Sequence, residues 1–273
     1  MAGSPDHATR WVSTRGIALE VRGAGDPVLL LHGIGGSAAA CGALAEVLST
    51  RGYRTYCWDA PGYGRSADPT VSANGAAENY DHAVVVADLI TKLGAEPVHL
   101  VGTSWGGVIA TVVAAANPTL VRSLVLADST RGSAVNEERV RAMRERIGEL
   151  RELGGPAFAA ARAKRLVSAS CEVEVARAVE SEMARVRLPG YSAAAEFMAR
   201  TDTGGRLAAV SAPTLVLVGA EDVITGVDES RLLADAIPGA SFGLILGAGH
   251  AAVQEKPVET AAHILRFWKT LDE

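Results

Sequence analysis

The chain has 273 residues, 48% of them hydrophobic and 21% charged, with a formal charge of -5. That length can bury a sizeable core, and the acidic balance offers no cationic face for nucleic acid. Cys41, Cys57 and Cys171 are an odd number without CxxC spacing, which argues against a disulfide framework or a zinc site and fits a reducing compartment.

Residues 1–9 lack a basic flank followed by an apolar run, so no signal peptide is expected and the cytoplasm is the expected location. Residues 11–22 break at Gly16 and read as two short strands joined by a turn. Apolar runs bounded by Gly or Pro then recur at 28–31, 55–58, 98–101, 124–127, 214–218 and 242–246. Being apolar on both faces, they read as parallel strands buried between helix layers. Helical stretches at 38–51, 80–93, 105–116, 230–236 and 258–271 separate them. This alternation predicts an α/β fold with a mostly parallel, doubly wound sheet and right-handed crossovers. The stretch 98–116 is apolar enough to raise a membrane span, but the Gly102-Thr103-Ser104-Trp105-Gly106-Gly107 centre makes a poor spanning helix.

The alternation stops between Gly132 and Gly205. Val140, Met143, Ile147 and Leu150 recur at helical steps, as do Val175, Val179, Met183 and Val186, and two shorter helices are expected at 158–166 and 193–200. A connection this long is seldom structureless in a compact domain. It is read as an all-helical cap, residues 132–205, over the carboxyl edge of a core formed by 1–131 and 206–273.

The chemistry concentrates where strands end. Gly102-Thr103-Ser104-Trp105-Gly106 lies between an apolar strand and an alanine-rich helix. A serine there stands on a sharp turn at a helix N-terminus, where N–H groups and the helix dipole favour negative charge. A serine hydroxyl needs a base within hydrogen-bond reach. Of six histidines, His7 falls in the tail, His82 and His263 in helices and His99 in a strand, where surface or core roles explain them. His250 ends Gly247-Ala-Gly directly after the last strand, at the edge where open parallel sheets build their sites. Asp222, after the preceding strand, is placed to orient that base, with Glu221 and Asp128 as rivals. The order Ser, Asp, His is that of α/β-hydrolases. An oxyanion needs two N–H donors, expected from Trp105 and from Ile34 in His32-Gly33-Ile34-Gly35-Gly36. His32 is expected to brace that loop, Ser37 to cap the helix after it, and Arg65 to pin neighbouring loops.

Together these pieces resemble the α/β-hydrolase family from about Trp11 to Phe267, through HGIGG (32–36), DAPGYGRS (59–66), GTSWGG (102–107), GAED (219–222) and GAGH (247–250). Within it the chain is similar to the branch of 3-oxoadipate enol-lactonases and small carboxylesterases, a likeness that includes residues 162–168. The serine nucleophile departs from haloalkane dehalogenases and epoxide hydrolases, which use a carboxylate. The absence of a Ser-x-Gly-Pro-Gly loop and of an aromatic after the histidine departs from C–C hydrolases.

The resemblance implies acyl transfer through Ser104, His250 and Asp222 on a small ester or lactone, without metal or organic cofactor. The alternatives are C–C cleavage of a diketone-type substrate and a hydrolase-fold receptor that binds without turnover. The expected partner is the small-molecule substrate alone, with no nucleic acid and no membrane; nothing in the sequence specifies an oligomeric state. Phe158, Met183, Phe197 and Met198 are expected in the pocket wall, and Trp105 is expected to narrow it. The lactonase likeness gives Arg162 and Arg165 a possible role opposite a substrate carboxylate.

Overall fold

The computed structural model describes residues 10–14, 16–69 and 80–271; His7 and the rest of the N-terminal nine residues lie outside them. Each apolar run forms a strand. β1 (Arg10–Thr14) and β2 (Ile17–Arg22) turn about Gly16, followed by β3 (Asp26–Leu31), β4 (Tyr53–Trp58), β5 (Val98–Thr103), β6 (Val121–Ala127), β7 (Thr214–Gly219) and β8 (Ser241–Ile245). They make one 8-stranded sheet in the order β1-β2-β4-β3-β5-β6-β7-β8. β2 pairs antiparallel with β1 and β4, and every other pairing is parallel.

Alternate residues along each parallel strand feed two separate cores. In β3, Leu29 and Leu31 enter the core shared with α2 (His82–Leu93) and α3 (Trp105–Ala116), whereas Val28 and Leu30 enter the core beneath α1 (Gly42–Ser49). Leu124 and Leu126 part from Val125 and Ala127 in the same way on β6. This two-sided burial is the reason the runs are apolar without alternation. The stretch 98–116 divides between β5 and α3, and among the described residues no helix is long and apolar enough to cross a membrane.

Between β6 and β7 stand α4 (Glu137–Arg162), α5 (Val173–Ala184) and α6 (Leu188–Arg200). The helix expected at 158–166 is the second limb of α4, set off by a break at Gly154 (φ 70°), followed by a single 3-10 turn. Side-chain attachments fix this insertion to the sheet edge. Glu182 accepts from Ser37. Arg187 donates to the carbonyls of Gly64 (2.8 Å) and Ser66 (2.7 Å) and to the Asp68 carboxylate (2.8 Å). Just before the insertion, within the core, Glu229 of α7 (Gly226–Ala236) holds Arg131 through both oxygens. The chain closes with α8 (Ala252–Glu255) and α9 (Pro257–Lys269), which packs on α1.

Candidate active site

Three turns at the carboxyl ends of β5, β7 and β8 bring the predicted residues together. Ser104 follows β5 with φ 52° and ψ -118°, a left-handed conformation that a side chain adopts only when its surroundings enforce it. Here Gly102 and Gly106 make room for it. A Cβ on Gly102 would strike the Gly106 carbonyl, and one on Gly106 would strike the Leu31 carbonyl, so the turn closes only with glycine at both positions. The Ser104 N–H is fixed by the Ala127 carbonyl at 2.9 Å, and its carbonyl by the Ser129 hydroxyl at 3.0 Å.

His250 presents Nε2 to the Ser104 Oγ at 2.9 Å and Nδ1 to the Asp222 Oδ2 at 3.0 Å. A hydroxyl can donate to Nε2 only if the proton sits on Nδ1, the tautomer that a carboxylate at Nδ1 selects. Burial alone would raise the Asp222 carboxyl. Hydrogen bonds from His250, from the Thr225 hydroxyl (2.7 Å) and from the Ile224 N–H (2.7 Å) outweigh it and hold the group at about 2.

The rivals for the third position are engaged elsewhere. Asp128 is fully buried, accepts from the N–H groups of Gly219 (2.7 Å) and Ala252 (3.3 Å), and has its carboxyl pushed well up by desolvation. Glu221 accepts from the Ala169 N–H at 3.3 Å.

The 32–36 loop lies against the serine: a Cβ on Gly33 would sit 3.3 Å from the Ser104 Cβ. His32 braces it, donating from Nδ1 to the Gly33 carbonyl (2.7 Å) and accepting at Nε2 from the Ala60 N–H (3.1 Å), with burial lowering its pKa and favouring the neutral ring. Ser37 caps the following turn by accepting from Ala39, and Tyr63 donates to the Ile34 carbonyl at 3.0 Å. Among the described residues no acceptor meets the N–H of Ile34 or of Trp105. Two unclaimed donors beside a serine are what a developing oxyanion requires.

Above Ser104 the inserted helices enclose a cavity of about 280 Å³. Phe158, Arg162, Arg165, Met183 and Met198 line it, with Ser104, His250 and Ile34 at its floor.

The alpha/beta hydrolase fold family matches residues 26–257. The chain belongs to that family. RutD of Variovorax paradoxus (strain S110), named for carbamate hydrolysis, is 30% identical over 232 residues, covering 83% of this chain and 85% of its own. A 2-hydroxy-6-oxononadienedioate/2-hydroxy-6-oxononatrienedioate hydrolase of Cupriavidus pinatubonensis (strain JMP 134 / LMG 1197) is 30% identical over 254 residues, covering 85% and 83%. A solved thermophilic esterase from Thermogutta terrifontis, with malate bound, superposes at a TM-score of 0.83 with 28% identity, over 96% of this chain and 98% of that one.

The structure of this α/β-hydrolase corrects several expectations. Trp105 borders the cavity, but its indole presents no exposed surface there. It is wholly buried among the rings of His32, Trp58, Tyr63 and His82, where the first turn of α3 directs it down into the core. Phe197 is absent from the cavity wall and meets the His82 ring edge-on at 5.3 Å. Tyr191 and Met198, seven residues apart, share the cavity face of α6; Phe197 is one residue off, and about 100° round the helix. His82 is a core residue with no hydrogen-bond partner for either ring nitrogen among the described residues, and burial lowers its pKa to about 3. In the loop after β4, Arg187 from the insertion donates to the Gly64 and Ser66 carbonyls, and Arg65 donates its backbone N–H to Asp59 at 2.8 Å.

The sequence reading missed Arg139, Met143, Arg146, Glu182 and Tyr191 in the wall. Arg139, Met143 and Arg146 follow the i, i+4, i+7 spacing of one helix face, a signal available in the sequence.

Proposed function

We propose that this α/β-hydrolase cleaves small carboxylic esters or lactones through an acyl-enzyme on Ser104, and that residues 132–205 act as its cap. The observation that carries the reading is the unbroken Ser104–His250–Asp222 chain, at 2.9 and 3.0 Å, beside two unclaimed N–H donors. Oγ attacks the carbonyl carbon as its proton passes to Nε2, and the oxyanion gathers at the N–H groups of Ile34 and Trp105. Collapse breaks the bond to the leaving oxygen, which takes the proton from His250. A water then loses its proton to Nε2 and attacks the acyl carbon; the second collapse frees the acid and returns the proton to Ser104. Asp222 stays ionised and steadies the imidazolium each time. No cofactor enters these steps. A cavity of about 280 Å³ suits a small molecule better than a peptide or a long lipid.

C–C cleavage is the second reading, favoured by the Cupriavidus relative; a carbamate is the corresponding C–N substrate suggested by RutD. Kinetics on short esters, lactones, carbamates and vinylogous 1,5-diketones separate them. An ester or lactone should show the highest kcat/KM, and a diketone far ahead of both would replace the ester reading. Tight binding of one such compound with no turnover of any would make the protein a receptor.

A further inference from the structure

The cavity wall carries more positive charge than its contacts neutralise. The ionised side chains on it are Arg139, Arg146, Arg162, Arg165 and Glu182, in a chain whose formal charge is -5. Glu149 engages Arg162, whose guanidinium also stacks over the Phe158 ring at 4.8 Å from its centroid. Glu182 is occupied by Arg185 and Ser37. Among the described residues no carboxylate pairs with Arg139, Arg146 or Arg165. Arg146 differs from the other two in being half-buried, and it shares the cavity wall with Tyr191, itself only 2% exposed. Tyr191 is fixed in turn by edge-to-face packing on Phe158 at 5.3 Å. The Arg146 guanidinium thus stands half-buried at the cavity with no carboxylate among the described residues to answer its charge. Arg139, two turns back on the same face of α4, adds a second cation at that wall.

Resting on the ester or lactone reading, we propose that the substrate carries a carboxylate away from the reacting carbonyl, and that Arg146, beside Tyr191 on the cavity wall and assisted by Arg139, is the residue that selects it. A guanidinium fork in a partly dry wall matches a carboxylate in shape and charge. The helical wall and the triad floor then bind opposite ends of one molecule. This assignment passes over Arg162, whose charge Glu149 already answers.

The test compares acids with neutral isosteres on both sides of the ester. The pairs are the 4-nitrophenyl half-ester of glutaric acid against 4-nitrophenyl valerate, and 4-acetoxybenzoate against its methyl ester. At least one acid should exceed its neutral partner in kcat/KM by about tenfold or more, chiefly through KM. Arg146→Met should reduce that ratio by about tenfold, Arg146→Lys should restore part of it, and Tyr191→Phe should reduce it less than Arg146→Met. Neutral esters turned over as well as acids in both pairs, or a ratio unmoved in Arg146→Met, would overturn the proposal and leave the ester reading standing. If neither charge class is hydrolysed, the ester reading fails. Calorimetry of Ser104→Ala with monomethyl glutarate and dimethyl glutarate then tests the anion site alone, and no preference for the acid, including no binding of either, overturns it.

Discussion

The floor and the wall of the cavity are built on different principles. At the floor, Ser104, Asp222 and His250 each stand in a turn directly after a parallel strand, and backbone contacts over-determine their positions: Ala127 and Ser129 on Ser104, Ile224 and Thr225 on Asp222. The wall is made of side chains from three helices inserted between β6 and β7, held to the sheet by Ser37–Glu182, Arg187 and the packing of Met183 against Gly35. Precision in the first region comes from hydrogen-bonded backbone, and in the second from which face of a helix turns inward. Chemistry should therefore be intolerant of change at the floor, whereas the wall should trade one substrate for another.

The sharpest break of that contrast would come from the nucleophile. Ser104→Ala should abolish turnover and labelling by a serine-directed phosphonate while leaving the thermal transition in place, and a label found by mass spectrometry on another residue would remove Ser104 from its role. Asp222→Asn should lower kcat/KM by about 10⁴ because it unsettles the His250 tautomer. Asp128→Asn and Glu221→Gln, whose oxygens serve backbone N–H groups away from the imidazole, should each cost far less. Steady-state rates with Asp128→Asn below Asp222→Asn would reassign the third member.

At the wall, Met198→Ala should change kcat little and shift KM by less than about tenfold, with the direction depending on acyl length. A series of straight-chain esters measures it, and a uniform loss of kcat across the series would show that the wall also sets the chemistry. The smallest effect concerns stability. The folded Asp222 carboxyl lies at about 2 against an ordinary 3.8. A depressed acid contributes stability that is present above its unfolded value and is lost as pH falls through the folded one. The stability gap between the protein and Asp222→Asn should thus narrow between about pH 4 and about pH 2, followed by denaturant unfolding at each pH. A gap that stays constant across this window would deny the carboxylate its ionised contacts.

The same division decides what could be read from residues alone. Ser104, Asp222 and His250 were legible because a strand, a turn and a polar residue are neighbours in sequence, and the order of the turns along the chain orders them in space. The strands were legible from their two-sided apolar runs. The wall depended on helix rotation, which long-range packing fixes: Met198 faces the cavity and its neighbour Phe197 faces His82. Trp105 shows both cases in one residue. Its N–H could be placed from the turn, but its indole could not, because the destination of that side chain depends on Trp58, Tyr63 and His82 from distant segments.

Glu255 ties the two regions together. Its Oε1 accepts from the Gly249 N–H at 2.8 Å, one residue before His250, and its Oε2 from the Ser168 N–H at 2.9 Å, just beyond the long helix of the insertion. One carboxylate thus serves as a clasp between the His250 turn and the inserted segment. Motion that carries Ser168 away must break one of these bonds or drag the other, so the two amides should open to solvent together. Deuterium uptake at residues 168 and 249 should rise in step on warming, and Glu255→Gln, which retains only one acceptor oxygen, should uncouple them. The molecule would then register whether its inserted segment is seated through the same side chain that helps position the His250 turn.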